Sequence, residues 1–304
     1  MCLRAVVTGA GSGIGRAFAL EIGRRGGRVV CADIEQDRAE ETVALLRQAG
    51  ADGCAIAADV ASMASMQSLA DAAAAYFGEA PTLVVNNAGV GAGGTRIGDT
   101  PLEDWQWVLG VNLWGVIHGC HVFMPMLREA GFGGVINICS TASFAAAPTM
   151  GAYNASKAGA LAVTETLAAE CAGSAIKVTA VCPTFVRTNI IRDGRIEAGA
   201  SALAGQLMEK WAFTPEKVVA QSLRALERGQ LYVVPQMDAK VIWRAKRLLP
   251  SLYTRGAGQL NRLLGRGGRP PTPAEVTVSA QASAAAPAAS IPPAETPETP
   301  RLSA

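Results

Sequence analysis

The sequence predicts a doubly wound α/β fold, with a parallel sheet of seven strands covered by helices on both faces. Three observations carry that prediction. Short β-branched runs alternate with long stretches of helical period, which is the pattern of βαβ units. The strand runs are apolar throughout instead of alternating, as expected when both faces of the sheet are buried. With 304 residues, half of them hydrophobic, the chain also has enough apolar material for a large core.

The elements follow in order. Strands are expected at Leu3–Thr8, Arg28–Asp33, Gly53–Ala57, Thr82–Asn86, Val135–Ile138, Lys177–Cys182 and Leu231–Val234. Helical period fills Ile14–Gly26, Gln36–Ala49, Ser62–Phe77, Glu103–His121, Ala152–Cys171 and Pro215–Arg228. This assigns residues 1–236 to a single domain. A C-terminal extension over 237–264 mixes Val241, Ile242, Trp243, Leu248, Leu249 and Leu252 with Lys240, Arg244, Lys246, Arg247, Arg255 and Arg262. Beyond it, residues 265–304 carry half of the 16 prolines among Ala, Ser, Thr and Glu. Such a segment cannot bury enough apolar surface to offset its ordering entropy and reads as a disordered tail.

Composition removes several function classes. A net charge of +2 argues against a bulk nucleic-acid binder. No run approaches 18 apolar residues, so no transmembrane helix is expected, and the first strand leaves no room for a signal peptide. Seven cysteines occur without a Cys-x-x-Cys pair, mostly among apolar neighbours, which suits a reducing, cytoplasmic setting. His118 and His121 are the only histidines, so no metal site is expected.

The first strand runs into Thr8-Gly9-Ala10-Gly11-Ser12-Gly13-Ile14-Gly15, and a helix follows. Glycines at a strand–helix junction let the chain turn tightly and bring backbone N–H groups against a pyrophosphate, the Rossmann-type arrangement. A glycine loop alone is a weak signal, because tight turns favour glycine anyway. Its place inside a βαβ unit makes it specific. Asp33 ends the second strand about 20 residues on, where a carboxylate can take the ribose hydroxyls of an adenosine. It would repel a 2′-phosphate, and no Arg or Lys immediately follows it, so NAD is expected over NADP. The plainer role for Asp33 is a helix N-cap, and the two are compatible.

Tyr153-Asn154-Ala155-Ser156-Lys157 places a phenol and an ammonium at i and i+4, on one helix face. A phenol titrates near pH 10 and is a poor proton shuttle at neutral pH unless a positive charge lowers its pKa. Taken alone, such a pair is usually a surface contact.

Several ordered motifs together give that pair a context. The chain resembles the short-chain dehydrogenase/reductase family over about residues 1–235. The match rests on Thr8–Gly15, Asp59-Val60, Asn86-Asn87-Ala88-Gly89, Asn112, Ser140, Tyr153-x-x-x-Lys157 and Pro183. The resemblance implies Tyr153 as general acid/base, with Lys157 lowering its pKa and holding the nicotinamide ribose. It implies Ser140 as the donor to the substrate oxygen and Asn112 as the anchor of a water in a proton relay. Cofactor contacts are implied at Gly9, Gly11, Ser12, Gly13, Ile14, Gly15, Asp33, Asp59, Val60, Asn87, Ala88, Gly89, Pro183, Val186 and Thr188. One departure stands out: Pro183-Thr184 replaces the usual Pro-Gly, which puts a different local turn in prospect.

Substrate walls are expected from Gly91–Thr100, Thr141–Met150 and Phe185–Phe213, beyond the carboxyl edge of the sheet. The second of these, with Phe144, Ala145, Ala146, Ala147, Pro148 and Met150, has no charge, and the third is rich in large apolar residues. A hydrophobic secondary alcohol or ketone, steroid-like, aromatic or long-chain, is therefore expected over a sugar or small acid. A stripe such as Leu203/Leu207/Trp211 can equally be lid packing. Trp105, Trp107 and Trp114 read as core or subunit contacts, consistent with the homo-oligomers common in the family. The extension at 240–264 has the composition of a helix at a membrane surface, broken by Pro250, Gly256, Gly258 and Gly265. Packing over the substrate cleft or a partner subunit is the alternative. Two other functions compete with an NAD-dependent dehydrogenase: an NADPH-dependent ketone reductase acting on 3-oxoacyl-type substrates, and a non-catalytic dinucleotide-binding sensor or scaffold.

Overall fold

The computed structural model describes residues 3–197 and 213–264. The expected sheet is present. Strands β1 (Arg4–Thr8), β2 (Arg28–Asp33), β3 (Gly53–Ala57), β4 (Leu83–Asn86), β6 (Phe132–Ile138), β7 (Ala175–Val181) and β9 (Tyr232–Val233) pair in the order β3-β2-β1-β4-β6-β7-β9. Every pairing is parallel. Two further strands, β5 (Ala92–Gly93) and β8 (Arg195–Ile196), form a small separate sheet that the sequence reading did not include.

Side chains alternate between the two faces of each strand, and each face has its own core. On one side Ala5, Val7, Val29 and Cys31 pack against Phe18 and Ile22 of α1 (Gly13–Arg24), Val43 and Leu46 of α2 (Gln36–Gln48), and Val218 and Leu223 of α8 (Pro215–Glu227). On the other, Val6, Val30 and Val84 meet Met66 and Leu69 of α3 (Met63–Phe77), Phe123 and Leu127 of α5 (Gly115–Ala130), and Leu167 of α7 (Gly151–Glu170).

One helix differs from expectation. Instead of ending at His121, the helix that starts as α4 (Leu102–Leu109) passes through a π turn at Gly110–Trp114 into α5 and ends at Gly131, whose φ is +77°. It tolerates Pro125, which is exposed, because Val122, Phe123, Met124 and Leu127 are buried against the sheet. By length and composition Leu102–Ala130 could cross a membrane, contrary to the sequence expectation. Val108, Asn112, Phe123 and Leu127 are nonetheless fully buried inside the protein, as in a core helix.

After β9 the extension forms α9 (Met237–Leu248) and α10 (Pro250–Leu264). Pro250 separates them, as expected. Gly256 and Gly258 do not interrupt α10, since a helix interior accommodates glycine at about 1 kcal/mol each relative to alanine. The compact unit containing the sheet runs through Gly258, and Gln259–Leu264 fall outside it. The predicted disordered tail at 265–304 and the Leu203/Leu207/Trp211 stripe lie outside the described residues.

Candidate active site

The glycine loop packs so closely that side chains are excluded on protein grounds alone. A Cβ on Gly9 would stand 2.8 Å from Ala88 Cα, and one on Gly11 would stand 2.7 Å from Asp33 Oδ2. A Cβ on Gly15 would overlap the Gly9 carbonyl. Gly9 and Gly13 adopt φ of +63° and +52°, where glycine is favoured. Asn87 clamps the loop: its Nδ2 donates to Thr8 O at 2.8 Å and Gly9 O at 3.1 Å. Asn87 N and Ala88 N both donate to Thr8 Oγ1. Asp33 accepts from Gly11 N at 2.8 Å and from Glu35 N at 3.1 Å, one bond per carboxylate oxygen.

A dinucleotide fits this cradle. The first-turn N–H groups of α1 have no acceptor within their own helix. Ser12, at the N-cap, makes no side-chain capping bond. Across the loop stands Thr188, whose Cγ2 lies 2.8 Å from where a Gly13 Cβ would be. Each Asp33 oxygen keeps accepting capacity for ribose hydroxyls. The neighbouring cations are already engaged. Arg38 pairs with Glu35 at 2.9 Å and Asp193 at 3.0 Å, while Arg16 bonds Glu41, Thr42 Oγ1 and the Gly11 carbonyl.

Not every expected cofactor residue turns toward the cleft. Asp59 Oδ1 accepts from Ala61 N. Val60 is buried in the core, and its carbonyl is 2.9 Å from His118 Nδ1, which gives that histidine a structural partner. Ile14, in the first turn of α1, packs against the core, while Val186 is buried within it and bridges Phe213. Gly89 does line the site: a Cβ there would lie 3.1 Å from Asn112 Oδ1 and 3.3 Å from Lys157 Nζ.

The catalytic candidates converge at the carboxyl edge of the sheet. Ser140 lies two residues past β6, just before the short helix α6 (Ala142–Ala145), and Tyr153 and Lys157 lie on α7. The Ser140 hydroxyl is close enough to the Tyr153 phenol to influence its titration, accepts from Ala142 N, and lies 3.4 Å from the Pro183 carbonyl. Lys157 is buried, donates to Ile138 O at 2.9 Å, and stands 6.0 Å from the centroid of the Tyr153 ring. Burial pushes the phenol above its ordinary pKa, while the neighbouring Ser140 hydroxyl pulls it down. Burial also lowers the Lys157 ammonium from its ordinary value, since desolvation disfavours its charged form. Asn112 sits in the π turn and is fully buried. Its amide accepts from Val90 N at 2.8 Å and donates to Val90 O and Ser156 Oγ. π turns of this kind recur at functional sites.

Several supporting residues went unread in the sequence. Ser143 Oγ donates to Lys157 O at 2.8 Å, fixing α7 to the strand end. Asn154 Nδ2 donates to Ala147 O at 2.7 Å, and Gly94 N donates to Thr149 O, steadying the loop before α7. That loop holds two non-glycine residues at positive φ, Ala146 (+50°) and Thr149 (+62°), a strained wall beside the tyrosine. Gln236 is buried. Its Oε1 accepts from Thr184 N at 3.1 Å, and its Nε2 donates to Phe185 O at 3.0 Å. A lone glutamine after the last strand offers no sequence signal for this. Cys139 and Cys182, next to Ser140 and Pro183, are both buried free thiols. Trp105 and Trp107 pack with Val108 and Ala152, whereas Trp114 is exposed.

Comparison with known proteins decides the family. The short chain dehydrogenase profile matches residues 4–197. The chain belongs to the short-chain dehydrogenase family. Its fold neighbours include a short-chain dehydrogenase/reductase from Burkholderia phymatum solved in complex with NAD, 34% identical with a TM-score of 0.76, over 83% of this chain and 95% of that one. Among sequence relatives, SadH of Mycobacterium tuberculosis, named an oxidoreductase, is 32% identical over 83% of this chain and 92% of its own length. EphD of the same organism, also named an oxidoreductase, is 34% identical over 80% of this chain. The match spans only 43% of EphD itself.

Proposed function

We propose that this dehydrogenase transfers hydride between NAD(H) and a hydrophobic secondary alcohol or ketone. The observation that carries the reading is the Ser140–Tyr153–Lys157 cluster opening onto an uncharged wall, Thr141–Met150. When bound, the nicotinamide supplies the hydride acceptor for the alcohol carbon. In oxidation, Tyr153 as phenolate takes the proton of the substrate hydroxyl, and Ser140 donates a hydrogen bond to the same oxygen. Lys157 supports the phenolate with its charge, and Asn112, holding Val90 and Ser156, keeps the floor of the site fixed. Ketone reduction runs the same proton in reverse. Two features support NAD over NADP: the Asp33 carboxylate at the loop, and the engagement of Arg38 and Arg16 with neighbouring carboxylates.

The test is steady-state turnover with NAD⁺ and NADP⁺ across benzylic, long-chain, steroidal and polyol alcohols. The expected result is NAD-dependent oxidation of the apolar alcohols, with polyols poor, and Asp33→Ser relaxing the preference toward NADP⁺. Better use of polyols would overturn the substrate class. A wild-type preference for NADP⁺ would overturn the Asp33 assignment.

A further inference from the structure

The exposed apolar residues of this protein are unevenly distributed. Among the described residues thirteen large hydrophobic side chains are exposed, and seven of them lie in Met237–Leu263. On α9, Met237 (69% exposed), Val241 (61%) and Leu248 (77%) are spaced i, i+4 and i+11, which puts them on one face. Arg244, at i+7, falls in the same stripe, and Lys240 and Arg247 flank it. The opposite face is the one that packs. Ala239 is fully buried, and Trp243 lies 6.5 Å from the Phe144 ring and 5.6 Å from Tyr232. Leu249 and Leu252 continue the exposed apolar surface around Pro250.

Charge separates this face from the rest of the chain. Residues 239–264 contain six Lys and Arg and no Asp or Glu, whereas the remaining 21 basic residues face 25 acidic ones. An apolar stripe bordered by cations, with Asp238 at the start of α9 the one acidic residue on that helix, matches the boundary of an anionic bilayer. There the side chains enter the acyl layer and the long basic side chains reach the headgroups. We propose that the outward face of α9 and the Leu248–Leu252 corner dock on anionic lipid membranes. This surface is separate from the catalytic cluster and does not depend on which alcohol is oxidised.

The test is flotation of the full chain with phosphatidylcholine vesicles and with vesicles in which a third of the lipid is phosphatidylserine. Binding should be confined to the anionic vesicles and weaken as salt is raised. Lys240→Gln with Arg244→Gln should lower the partition coefficient about fivefold per cation removed. Val241→Ser, Leu248→Ser and Leu252→Ser together should lower it by about tenfold or more. Both sets should keep the wild-type melting temperature and turnover of soluble substrate. Absence of binding, equal binding to neutral vesicles, or binding unaffected by either set would overturn the proposal. So would a wild-type oligomer that the leucine substitutions dissociate, since a second copy would then cover this face.

Discussion

Replacing Gln236 with leucine tests whether the C-terminal part of the domain holds the loop at 183–188. The side chain is buried and bridges two backbone groups, Thr184 N and Phe185 O. Leucine fills a similar volume, so the change removes hydrogen bonding with little cavity. The two losses are unequal. Phe185 O retains the bond from Phe213 N at 3.0 Å, so only the Gln236 contribution disappears there. Thr184 N loses its acceptor in a half-buried setting. An orphaned N–H costs about 1–3 kcal/mol and a lost net hydrogen bond about 1 kcal/mol, so about 2–4 kcal/mol is expected. For a domain of this size that corresponds to a melting temperature lower by about 5–15 °C. Calorimetry on the variant and on a Gln67→Leu control, which loses only an exposed bond to Asp71, gives the comparison. NADH affinity, followed by tryptophan fluorescence, should weaken in Gln236→Leu alone. A variant that melts with wild type and binds NADH equally well would refute the idea that Gln236 positions the loop.

Three other outcomes follow from the site and its surroundings. Tyr153→Phe should lower kcat by about 10²–10⁴-fold while leaving NADH binding intact, and loss of binding instead would point to misfolding. Burial raises the Tyr153 pKa, so the phenolate needed for alcohol oxidation grows only at alkaline pH. Oxidation should therefore climb from neutral to strongly alkaline pH while ketone reduction falls, and a flat oxidation profile would contradict the assignment. Arg24 and Arg25 hold Glu21 down from an ordinary 4.5 to about 2. That stabilisation is present above pH 4.5 and is lost as pH falls through about 2. With Arg24 largely exposed, Glu21→Gln should cost about 1 kcal/mol or less at neutral pH in a denaturant titration, and nothing in strong acid.

The main chemistry was legible because it depends on local geometry. The glycine loop declares itself, since no other residue fits against Ala88, Asp33 and the Gly9 carbonyl. The parallel strands are readable because both faces are buried, leaving solid apolar runs such as Ala5–Val7 and Val29–Cys31. Tertiary contacts outside any local pattern were not legible. β5 and β8 have two residues each, too short for periodicity, and exist because Ala92 and Gly93 pair with Arg195 and Ile196. The helix runs past the expected end at His121, and past Pro125, because burial of Phe123 and Leu127 carries it to Gly131. The expectation that Lys157 depresses the Tyr153 pKa came from their spacing and from the family resemblance. Burial of both groups, which spacing does not show, makes desolvation the larger influence.

Thr184 shows how one departure from a family pattern can be absorbed. Where the family resemblance leads one to expect Pro-Gly, this chain has Pro183-Thr184, and a β-branched residue would be strained if the turn required a left-handed backbone. It does not: the non-glycine residues at positive φ among those described are Ala146 and Thr149. Thr184 instead gains a contact that glycine could not make, its Oγ1 lying 3.1 Å from Thr141 Oγ1, next to Ser140. Its N–H goes to Gln236, so the loop is held from the Ser140 side and from the far end of the sheet. Restoring the family residue should therefore weaken the protein. Thr184→Gly loses one hydroxyl hydrogen bond, worth about 1 kcal/mol, and adds about 0.5–1 kcal/mol of unfolded-chain entropy. The variant should melt several degrees lower and gain no turnover. If it were as stable as wild type and faster, the threonine would be an obstacle at the nicotinamide and not part of its support.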